Sequence, residues 1–226
     1  MDNTPHHSVE AGPSVSASST PHSRLESAPS AYGPCHVGVA LIGCGQFARE
    51  VMLPALAAEP LARLRCVCDQ TSDRAAAAAR QFHAEEWCTD PTRVWRDPVV
   101  EAVVITVRDD AQAPLTLQAL EEGKHVYVEK PLADRMEMFA RIRETRDRVG
   151  RLVAVGFQKR FAPAYRAFKA AVDQGGGPSL VYCRMADDAW RWAKGYPPGY
   201  LVRHDACHLF DLLRWLTGAE VVQVYA

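Results

Sequence analysis

The sequence predicts an α/β protein built around a doubly wound parallel sheet. Three observations lead to this prediction. From residue 35 onward, short apolar runs alternate with longer segments of helical periodicity. The apolar runs are continuous rather than alternating, which is typical of strands covered on both faces. The links between the segments are short, as right-handed β-α-β crossovers require.

The strands and helices of this first part follow one another in regular order. The predicted strands cover residues 36–45, 64–69, 100–107, 124–131 and 151–157. The predicted helices between them cover residues 46–59, 71–82, 113–123 and 134–150. Because strand and helix alternate throughout, all five strands should lie parallel in one sheet.

Local signals predict where these helices begin, end or break. Pro54 should kink or break the first helix. Thr71 or Ser72 is placed to cap the second, and Gly123 closes the third. In the fourth helix, Asp134 and Glu137 have the spacing of a capping box, and Gly150 follows the last turn.

The pattern changes after Phe157. A helix over 162–174 is followed by a strand-like run over 179–186 and an aromatic loop over 187–200. A helix over 203–218 and a last strand over 220–226 complete the chain. These segments predict a second, smaller domain over 157–226, after a nucleotide-binding domain over 34–156.

The first 33 residues differ in composition from the rest. They are rich in Ser, Pro, Ala and His and contain almost no large apolar residues, which predicts disorder. The segment lacks the apolar core of a signal peptide. Its histidines, His6, His7 and His22, are too scattered to predict a metal site.

Composition excludes some partners. The net charge of −1 shows no basic footprint for nucleic acid. No apolar run reaches the roughly 18 residues that would indicate a membrane span. The seven cysteines include no C-x-x-C pair, and Cys66 and Cys68 should share one face of a strand. We therefore expect reduced core thiols in a cytoplasmic protein.

A glycine motif of the form G-x-G-x-x-A covers Gly43–Ala48, directly after the first strand. In this context Gly43 allows a tight turn, and Gly45 lets the backbone approach a pyrophosphate. The helix N-terminus favours negative charge, so Gln46 and Phe47 are also cofactor candidates. The alternative is a plain strand-helix turn. The motif predicts a dinucleotide-binding Rossmann domain.

Asp69 ends the second strand, 26 residues after Gly43. A carboxylate there can accept both ribose hydroxyls and would repel a 2′-phosphate, which favours NAD over NADP. The nearby Arg74 weakens that preference, so NADP stays an alternative, and Asp69 could instead be a plain loop carboxylate.

Glu129-Lys130-Pro131 lies at the carboxyl end of a strand, the edge where open parallel sheets bind ligands. Lys130 could hydrogen-bond a substrate hydroxyl and help its proton leave as hydride transfers. The alternative is a surface turn. Gln158 follows the last strand and is a candidate nicotinamide or substrate contact, whereas Lys159 and Arg160 could simply be solvated.

Several of these motifs together resemble the Gfo/Idh/MocA family of NAD(P)-dependent sugar and cyclitol dehydrogenases, from about Val37 to the end. The most specific are "GKHVYVEKPLA" (123–133) and "CHLFDLLRWLTG" (207–218). The resemblance implies a Rossmann sheet followed by a partial α+β open-faced sheet domain, and a cis bond before Pro131. It implies that Lys130 is the lysine of the E-K-P motif and that His208 is the acid/base.

The chain departs from the family pattern at three points. Many members have an aspartate four residues before the helix histidine, where this chain has His204, so Asp205 is assigned as the partner of His208. Members often have a proline after the fourth strand and a histidine in the next loop, where this chain has Val107 and Gln112, although Thr106 remains. The chain also ends early, which leaves the second sheet, the substrate pocket and the family's dimer surface incomplete.

His204–His208 (HDACH) could also be a zinc site or only a packed helix start. A zinc protease carries Glu between histidines four apart and a third ligand downstream. Here the intervening acid is Asp and no third ligand follows, so we predict no metal. The context favours a catalytic His208.

The sequence thus predicts an NAD(P)-dependent oxidoreductase that moves a hydride between nicotinamide and a secondary alcohol of a sugar, cyclitol or related polyol. The resemblance also implies that a homo-oligomer could form, although the family's dimer surface would be incomplete. A non-catalytic nucleotide-binding or regulatory relative is the alternative, and NAD-assisted glycoside cleavage is a third. The aromatic residues Trp190, Trp192 and Tyr196 could stack on a sugar or simply pack as a loop.

Overall fold

A parallel sheet of six strands organises the part of the chain that the structure describes. The structure is a computed structural model that describes residues 36–178, 180–185 and 199–225, without the side chain of Leu201. These residues belong to one unit, Cys35–Ala226. The strands are β1 Val37–Ile42, β2 Ala62–Cys68, β3 Glu86–Cys88, β4 Ala102–Ile105, β5 His125–Val128 and β6 Val153–Val155.

The strand order is β3-β2-β1-β4-β5-β6, and every pairing is parallel. This is the doubly wound Rossmann order. Successive strands are added on one side of β1 up to β3, and from β4 onward they are added on the other side. The predicted fold class is thereby confirmed for the nucleotide-binding domain. Strand β3 was not predicted, because three residues are too few to show a periodicity.

Helices and helical turns connect the strands. The α-helices are α1 Leu53–Ala58, α2 Ser72–Phe82, α3 Thr92–Arg96, α4 Asp109–Glu121, α5 Met136–Val149, α6 Pro163–Gln174, α7 Tyr200–His204 and α8 Cys207–Thr217. A π-helical turn, Ala48–Met52, precedes α1, and a 3-10 turn, Gln158–Phe161, precedes α6. None of the helices in the described residues is both long and apolar enough to span a bilayer.

Both faces of the sheet are buried. Along β1, Val39 and Leu41 pack into one apolar cluster with Leu53 of α1, whereas Ala40 and Ile42 pack into a second cluster on the other side. Successive side chains of a strand point to opposite faces, so a continuous apolar run is what a sheet covered on both sides needs.

The thiols of the sheet are core residues, as predicted. Cys44, Cys66, Cys68 and Cys88 are free and buried. Cys66 and Cys68 belong to the same apolar cluster, which confirms that they share a face, and the Cys66 and Cys88 sulfurs lie 3.7 Å apart. Burial raises the pKa of the Cys44 thiol to about 12, so this thiol stays protonated.

Some predicted helix ends are correct and others are wrong. Gly150 closes α5 in the left-handed conformation, with φ 64°. The break expected near Pro54 is the π-helical turn that precedes α1. The capping box of α5 is not formed, because Arg135 is the N-cap and contributes no side-chain bond. Thr71 is the N-cap of α2, but its hydroxyl oxygen accepts a bond from Arg74 Nη2 instead of capping the helix.

The segments after Phe157 depart most from prediction. The helix predicted over 203–218 is divided, since α7 ends at His204 and α8 begins at Cys207. The described parts of the two predicted strands, 180–185 and 220–225, have no strand structure. A strand needs a neighbour to satisfy its backbone groups, and these segments have none within the described residues. Their side chains are largely exposed, including Tyr182 and Val222.

Candidate active site

Two adjoining clefts lie at the carboxyl ends of the strands. The larger cleft, of about 640 Å³, contains Lys130, His204, Asp205 and His208 in its lining. The smaller cleft, of about 510 Å³, is lined by residues that include Gly43, Gly45 and Asp69, and Thr106 and Val107 line both. Every predicted site residue borders one of them: Gly43, Gly45, Gln46, Phe47, Asp69, Arg74, Thr106, Glu129, Lys130, Gln158, Asp205 and His208.

The glycine turn between β1 and the first helical turn has the shape that the motif predicts. Gly43 has φ +98°, and a Cβ there would lie 2.7 Å from the Thr106 carbonyl oxygen. Among the described residues, apart from Gly45 itself and its two chain neighbours, no atom lies within 4 Å of a Cβ built on Gly45. Gly43 is therefore required by the protein's own backbone, whereas the open space at Gly45 can take a ligand phosphate.

Asp69 is held by the backbone at the edge of the smaller cleft. Its Oδ2 accepts the Cys44 N–H at 2.9 Å, and its Oδ1 accepts the Thr71 N–H at 2.8 Å. Arg74 Nε lies 3.8 Å from Oδ1. These bonds fix the carboxylate and leave each oxygen with a further lone pair, so the predicted ribose contact remains open to it.

Thr106 joins the end of β4 to the glycine turn. Its hydroxyl contacts the Gly43 carbonyl oxygen at 2.7 Å and the Ile42 carbonyl oxygen at 3.2 Å. The hydroxyl therefore fixes the floor between the two clefts.

Glu129 is a buried carboxyl behind Lys130. Tyr127 donates its hydroxyl to Glu129 Oε1 at 3.2 Å, and the Lys130 backbone N–H donates to Oε2 at 3.3 Å. A Cβ on Gly156 would come within 2.7 Å of this carboxyl group, so a larger residue there would displace it. Burial raises the pKa of Glu129. The peptide bond between Lys130 and Pro131 is cis, as the family resemblance implied.

Lys130 reaches from the end of β5 to the turn between α7 and α8. Its Nζ donates to the His204 carbonyl oxygen at 2.8 Å and lies 3.8 Å from Asp205 Oδ1. Since an ammonium group has three donors, these contacts hold the nitrogen in the larger cleft and leave it a donor for a ligand oxygen.

His208 stands near the start of α8 and is 7% exposed. Its ring meets Phe157 edge to face, with centroids 6.0 Å apart. Its Nδ1 has no hydrogen-bond partner among the described residues. Burial lowers the pKa of His208 to about 4, and the positive charges of Lys130 and Lys159 add to that shift. The imidazole is therefore neutral at pH 7.

The structure places Asp205 differently from the expectation. The predicted contact of its carboxylate with the His208 ring is not formed among the described residues. The carboxylate lies near Lys130 Nζ instead, and His208 donates its backbone N–H to the Asp205 carbonyl oxygen at 3.2 Å. The reason is the turn at residues 205–206. Because Asp205 is outside both helices, it does not have the helical spacing that would place its side chain on the same face as His208.

Sequence reasoning missed a side-chain cluster at the larger cleft. His204 Nδ1 lies 3.2 Å from Asp109 Oδ2 and 3.0 Å from the Tyr200 hydroxyl oxygen. Asp109 is the first residue of α4, which begins four residues before its predicted start. In the sequence, His204 stood out as a departure from the family pattern and as one histidine of HDACH, whereas no local signal indicated Asp109.

Gln112, noted as a departure from the family pattern, is 1% exposed within α4. Turned so that both amide atoms are satisfied, its side-chain nitrogen donates to the Glu129 and Pro131 carbonyl oxygens. Gln112 thus helps to hold the backbone on both sides of Lys130 in place. Val107 stays at the boundary of the two clefts.

The remaining predicted residues lie at the rim. Phe47 is 40% exposed, and Gln46 donates its amide to Glu50 Oε1 at 2.9 Å. Gln158 lines the larger cleft from the 3-10 turn. Arg160, expected to be solvated, instead forms a two-bond ion pair with the buried Asp211.

The described residues contain no cluster of three or more His, Cys, Asp or Glu side chains arranged to hold a metal ion. The two histidines of HDACH lie on separate helices and have different neighbours, Asp109 for His204 and Phe157 for His208. The proposed sugar-stacking residues Trp190, Trp192 and Tyr196 lie outside the described residues, as does the predicted N-terminal tail.

Comparison with known proteins decides the family. Residues 37–157 match the Gfo/Idh/MocA model, described as an oxidoreductase family with an NAD-binding Rossmann fold. The chain belongs to this family. Among the family's curated members, scyllo-inositol 2-dehydrogenase (NAD(+)) of Bacillus subtilis strain 168 is 32% identical over 196 residues, which cover 83% of this chain and 56% of that protein.

A second curated protein and a solved structure are also similar to this chain. Inositol 2-dehydrogenase 2 of Saccharopolyspora erythraea is 34% identical over 196 residues, covering 84% of this chain and 56% of its own. The crystal structure of apo scyllo-inositol dehydrogenase from Lactobacillus casei superposes with a TM-score of 0.74 at 24% identity, covering 83% of this chain and 56% of that one. This chain therefore spans a little over half the length of these relatives.

Proposed function

We propose that this protein is an NAD-linked dehydrogenase that oxidises a secondary alcohol of a cyclitol or related polyol. The observation that carries the proposal is the position of Lys130 Nζ, which the His204 carbonyl oxygen holds in the larger cleft beside the glycine turn. The curated names of the relatives, which are inositol dehydrogenases, support a cyclitol as substrate.

The residues of the smaller cleft fit a dinucleotide. Gly43 and Gly45 would receive the pyrophosphate, because the Gly45 position is open. The Asp69 carboxylate would accept ribose hydroxyls, and its negative charge favours NAD over NADP, with Arg74 as the group that could still admit NADP. Thr106, Glu129 and Gln158 would border the nicotinamide, which when bound supplies a hydride acceptor.

Lys130 and His208 would act on the substrate. The Lys130 ammonium would donate a hydrogen bond to the substrate hydroxyl and stabilise negative charge on that oxygen. The neutral His208 ring, whose Nδ1 carries no other bond among the described residues, would accept a hydrogen bond or a proton. Asp205, beside Lys130, would hold the ammonium in position rather than orient His208.

The test is NADH formation by the full chain with NAD⁺ and either myo-inositol or scyllo-inositol. Lys130→Ala should lower kcat by about 100-fold or more, because a positioned proton donor contributes at least that much. NAD⁺ affinity, measured by calorimetry, should be unchanged. The matched control is Lys169→Ala, since Lys169 pairs with Asp173 on α6 away from both clefts. Full activity of Lys130→Ala would refute the assignment.

The alternative is a non-catalytic nucleotide-binding or regulatory protein. The unpaired segments 180–185 and 220–225 favour it, because in the described residues they contribute no wall of regular structure around the larger cleft. NAD⁺ binding without turnover of any polyol would support this alternative and contradict the dehydrogenase.

Two further properties belong to the same proposal. A homo-oligomer would cover the exposed apolar side chains of the last segment, such as Val222 and Tyr225, and sedimentation of the full chain tests it.

The buried free thiols support a reducing, cytoplasmic location, which cell fractionation tests.

A further inference from the structure

We propose that His204, held by Asp109, is a second acid/base of the larger cleft and takes the proton of the substrate hydroxyl. The inference rests on the proposed dehydrogenase function. It assigns a catalytic role to a histidine–carboxylate pair that neither the motifs nor the family resemblance singled out.

The pair is built from two elements far apart in the chain. His204 ends α7 and Asp109 begins α4, and their Nδ1 and Oδ2 atoms lie 3.2 Å apart. The His204 ring stacks on Tyr200 with centroids 4.8 Å apart and an interplanar angle of 15°. The carboxylate, the hydroxyl and the stacked ring together restrain the imidazole in one orientation.

The carboxylate selects which nitrogen carries the proton. A bare Nδ1 would direct its lone pair at the Asp109 oxygen, which is repulsive, whereas an Nδ1–H can donate to it. We therefore assign neutral His204 the tautomer protonated on Nδ1, and the Tyr200 hydroxyl oxygen, 3.0 Å from Nδ1, is a second group that can accept from it. The Nε2 lone pair is left to accept a proton, as a general base requires.

The pair lies at the proposed reaction site. Asp109, Lys130 and His204 all line the larger cleft, and the His204 carbonyl oxygen is the group that holds Lys130 Nζ. The His204 and Asp109 side chains are 30% and 27% exposed, so both are accessible from the cleft. Other titratable groups lie close by: Tyr200 contacts the ring, Lys130 and Cys207 donate to the His204 carbonyl oxygen, Asp205 stands beside Lys130, and Glu129 interacts electrostatically with His204.

His208 differs from His204 in its surroundings. Burial, with the positive charges of Lys130 and Lys159, lowers the pKa of the His208 ring to about 4, which disfavours its imidazolium form at pH 7. Its Nδ1 has no hydrogen-bond partner among the described residues, and the Asp205 and Asp211 carboxylates offset only part of the downward pKa shift. His204 instead has the Asp109 carboxylate 3.2 Å from its Nδ1, a group to which an Nδ1–H can donate.

The proposed step balances. The O–H bond of the substrate breaks and an N–H bond forms on His204 Nε2, while the electron pair stays on oxygen and becomes the second bond of the ketone. The C–H bond would break with its electron pair, which the oxidised nicotinamide of the proposed function, when bound, would accept as hydride. Lys130 donates to the oxygen throughout.

Two matched variants test the catalytic part. His204→Asn should lower kcat for inositol oxidation by about 100-fold or more at neutral pH, with a smaller change in KM, because a general base contributes 10² to 10⁴. His83→Asn is the control, because His83 is exposed at the end of α2 and asparagine tolerates its positive φ. Added imidazole should restore part of the activity of His204→Ala, which a purely structural role would not allow.

A readout without turnover tests the pair itself. In the wild-type chain, ¹⁵N NMR should show neutral His204 protonated on Nδ1 and bare on Nε2. Asp109→Asn should move the proton toward Nε2, because the amide no longer demands a donor. An unchanged tautomer would overturn the pairing.

The outcomes separate the inference from the proposed function. If the wild type oxidises inositol and His204→Asn keeps its rate, the inference is wrong and the dehydrogenase stands. If the wild type binds NAD⁺ without turnover, the dehydrogenase is wrong, and the proton step with it, whereas the NMR result still decides whether Asp109 holds His204. Loss of activity, imidazole rescue and the tautomer change together support the inference.

Discussion

At the scale of single residues, the two glycines of the G-x-G motif are needed for different reasons. Gly43 has a positive φ and faces the Thr106 carbonyl oxygen, so the fold itself requires glycine there. Gly45 has neither constraint, so its lack of a side chain matters only to whatever enters the cleft. The sequence shows glycine at both positions, but Gly43 is needed for the backbone conformation and Gly45 for the space in the cleft.

This difference makes a paired prediction. Gly43→Ala should lower the free energy of unfolding by about 2 kcal/mol or more, because alanine adds strain and a clash with the Thr106 carbonyl. Gly45→Ala should leave the stability nearly unchanged and weaken NAD⁺ binding, since the new methyl group occupies the space proposed for the pyrophosphate. Urea unfolding and calorimetry measure the two effects. Equal loss of stability in both variants would contradict the separation.

At the scale of elements, the ends of β5 and β6 are fitted to each other around a buried carboxyl group. Glu129 follows β5, Gly156 follows β6, and the Gly156 N–H donates to the Val128 carbonyl oxygen at 2.9 Å. The absence of a side chain at Gly156 makes room for the Glu129 carboxyl. Two adjacent strand ends thus cooperate to present Lys130 at the cleft.

A double-mutant cycle tests this fit. Gly156→Ala alone should lower the free energy of unfolding by about 1–2 kcal/mol, because the added methyl group displaces the Glu129 carboxyl from its bonds. In a Glu129→Ala background the same change should cost almost nothing, since the obstructing group is gone. Denaturant titrations of the four proteins give the coupling. Additive effects would show that the two residues do not interact.

At the scale of the whole molecule, a few polar contacts connect the last helices to the nucleotide-binding sheet. Lys130 donates to the His204 carbonyl oxygen, and Asp109 contacts the His204 ring. Arg160 in the 3-10 turn pairs through two bonds with Asp211, which is 9% exposed within α8. The site residues of α7 and α8 are positioned through these contacts rather than by a continuous sheet.

The Arg160–Asp211 pair should therefore hold α8 in place. Arg160→Leu should destabilise the docked helix by about 3 kcal/mol, because it leaves a buried carboxylate without its partner. Amide hydrogen exchange should speed up across α8 and stay slow in β1. The exposed Arg166 on α6 offers the control, as Arg166→Leu should leave exchange in α8 unchanged. The double variant Arg160→Leu/Asp211→Leu should recover part of the protection, and a failure to do so would point to a different role for the arginine.

Much of this architecture could be predicted from the sequence. Apolar runs such as 36–45 predict buried strands because burial on both faces demands apolar residues at successive positions. The glycine motif, Asp69 and Glu129–Pro131 are local patterns at strand ends, and a parallel sheet brings all strand ends of one direction to the same edge. Every predicted site residue accordingly borders one of the two clefts.

The parts that were not predicted depend on contacts between distant segments. The partner of Asp205 changed because a two-residue break between α7 and α8 turned the carboxylate toward Lys130. The strands predicted over 179–186 and 220–226 are rich in apolar residues, yet a strand forms only where a neighbour completes its hydrogen bonds. The residue types alone indicate neither the break between α7 and α8 nor the lack of a neighbouring strand.

The sequence by itself determined the parallel sheet, the glycine turn and the lysine at the end of β5, because each of these follows from interactions within a few residues or from the burial of a short run. Only the tertiary structure decided that His204 meets Asp109, that Asp205 stands by Lys130 and that Arg160 holds Asp211. These pairs join residues 95, 75 and 51 positions apart in the chain. Their geometry is set by how helices dock on the sheet, which no local pattern specifies.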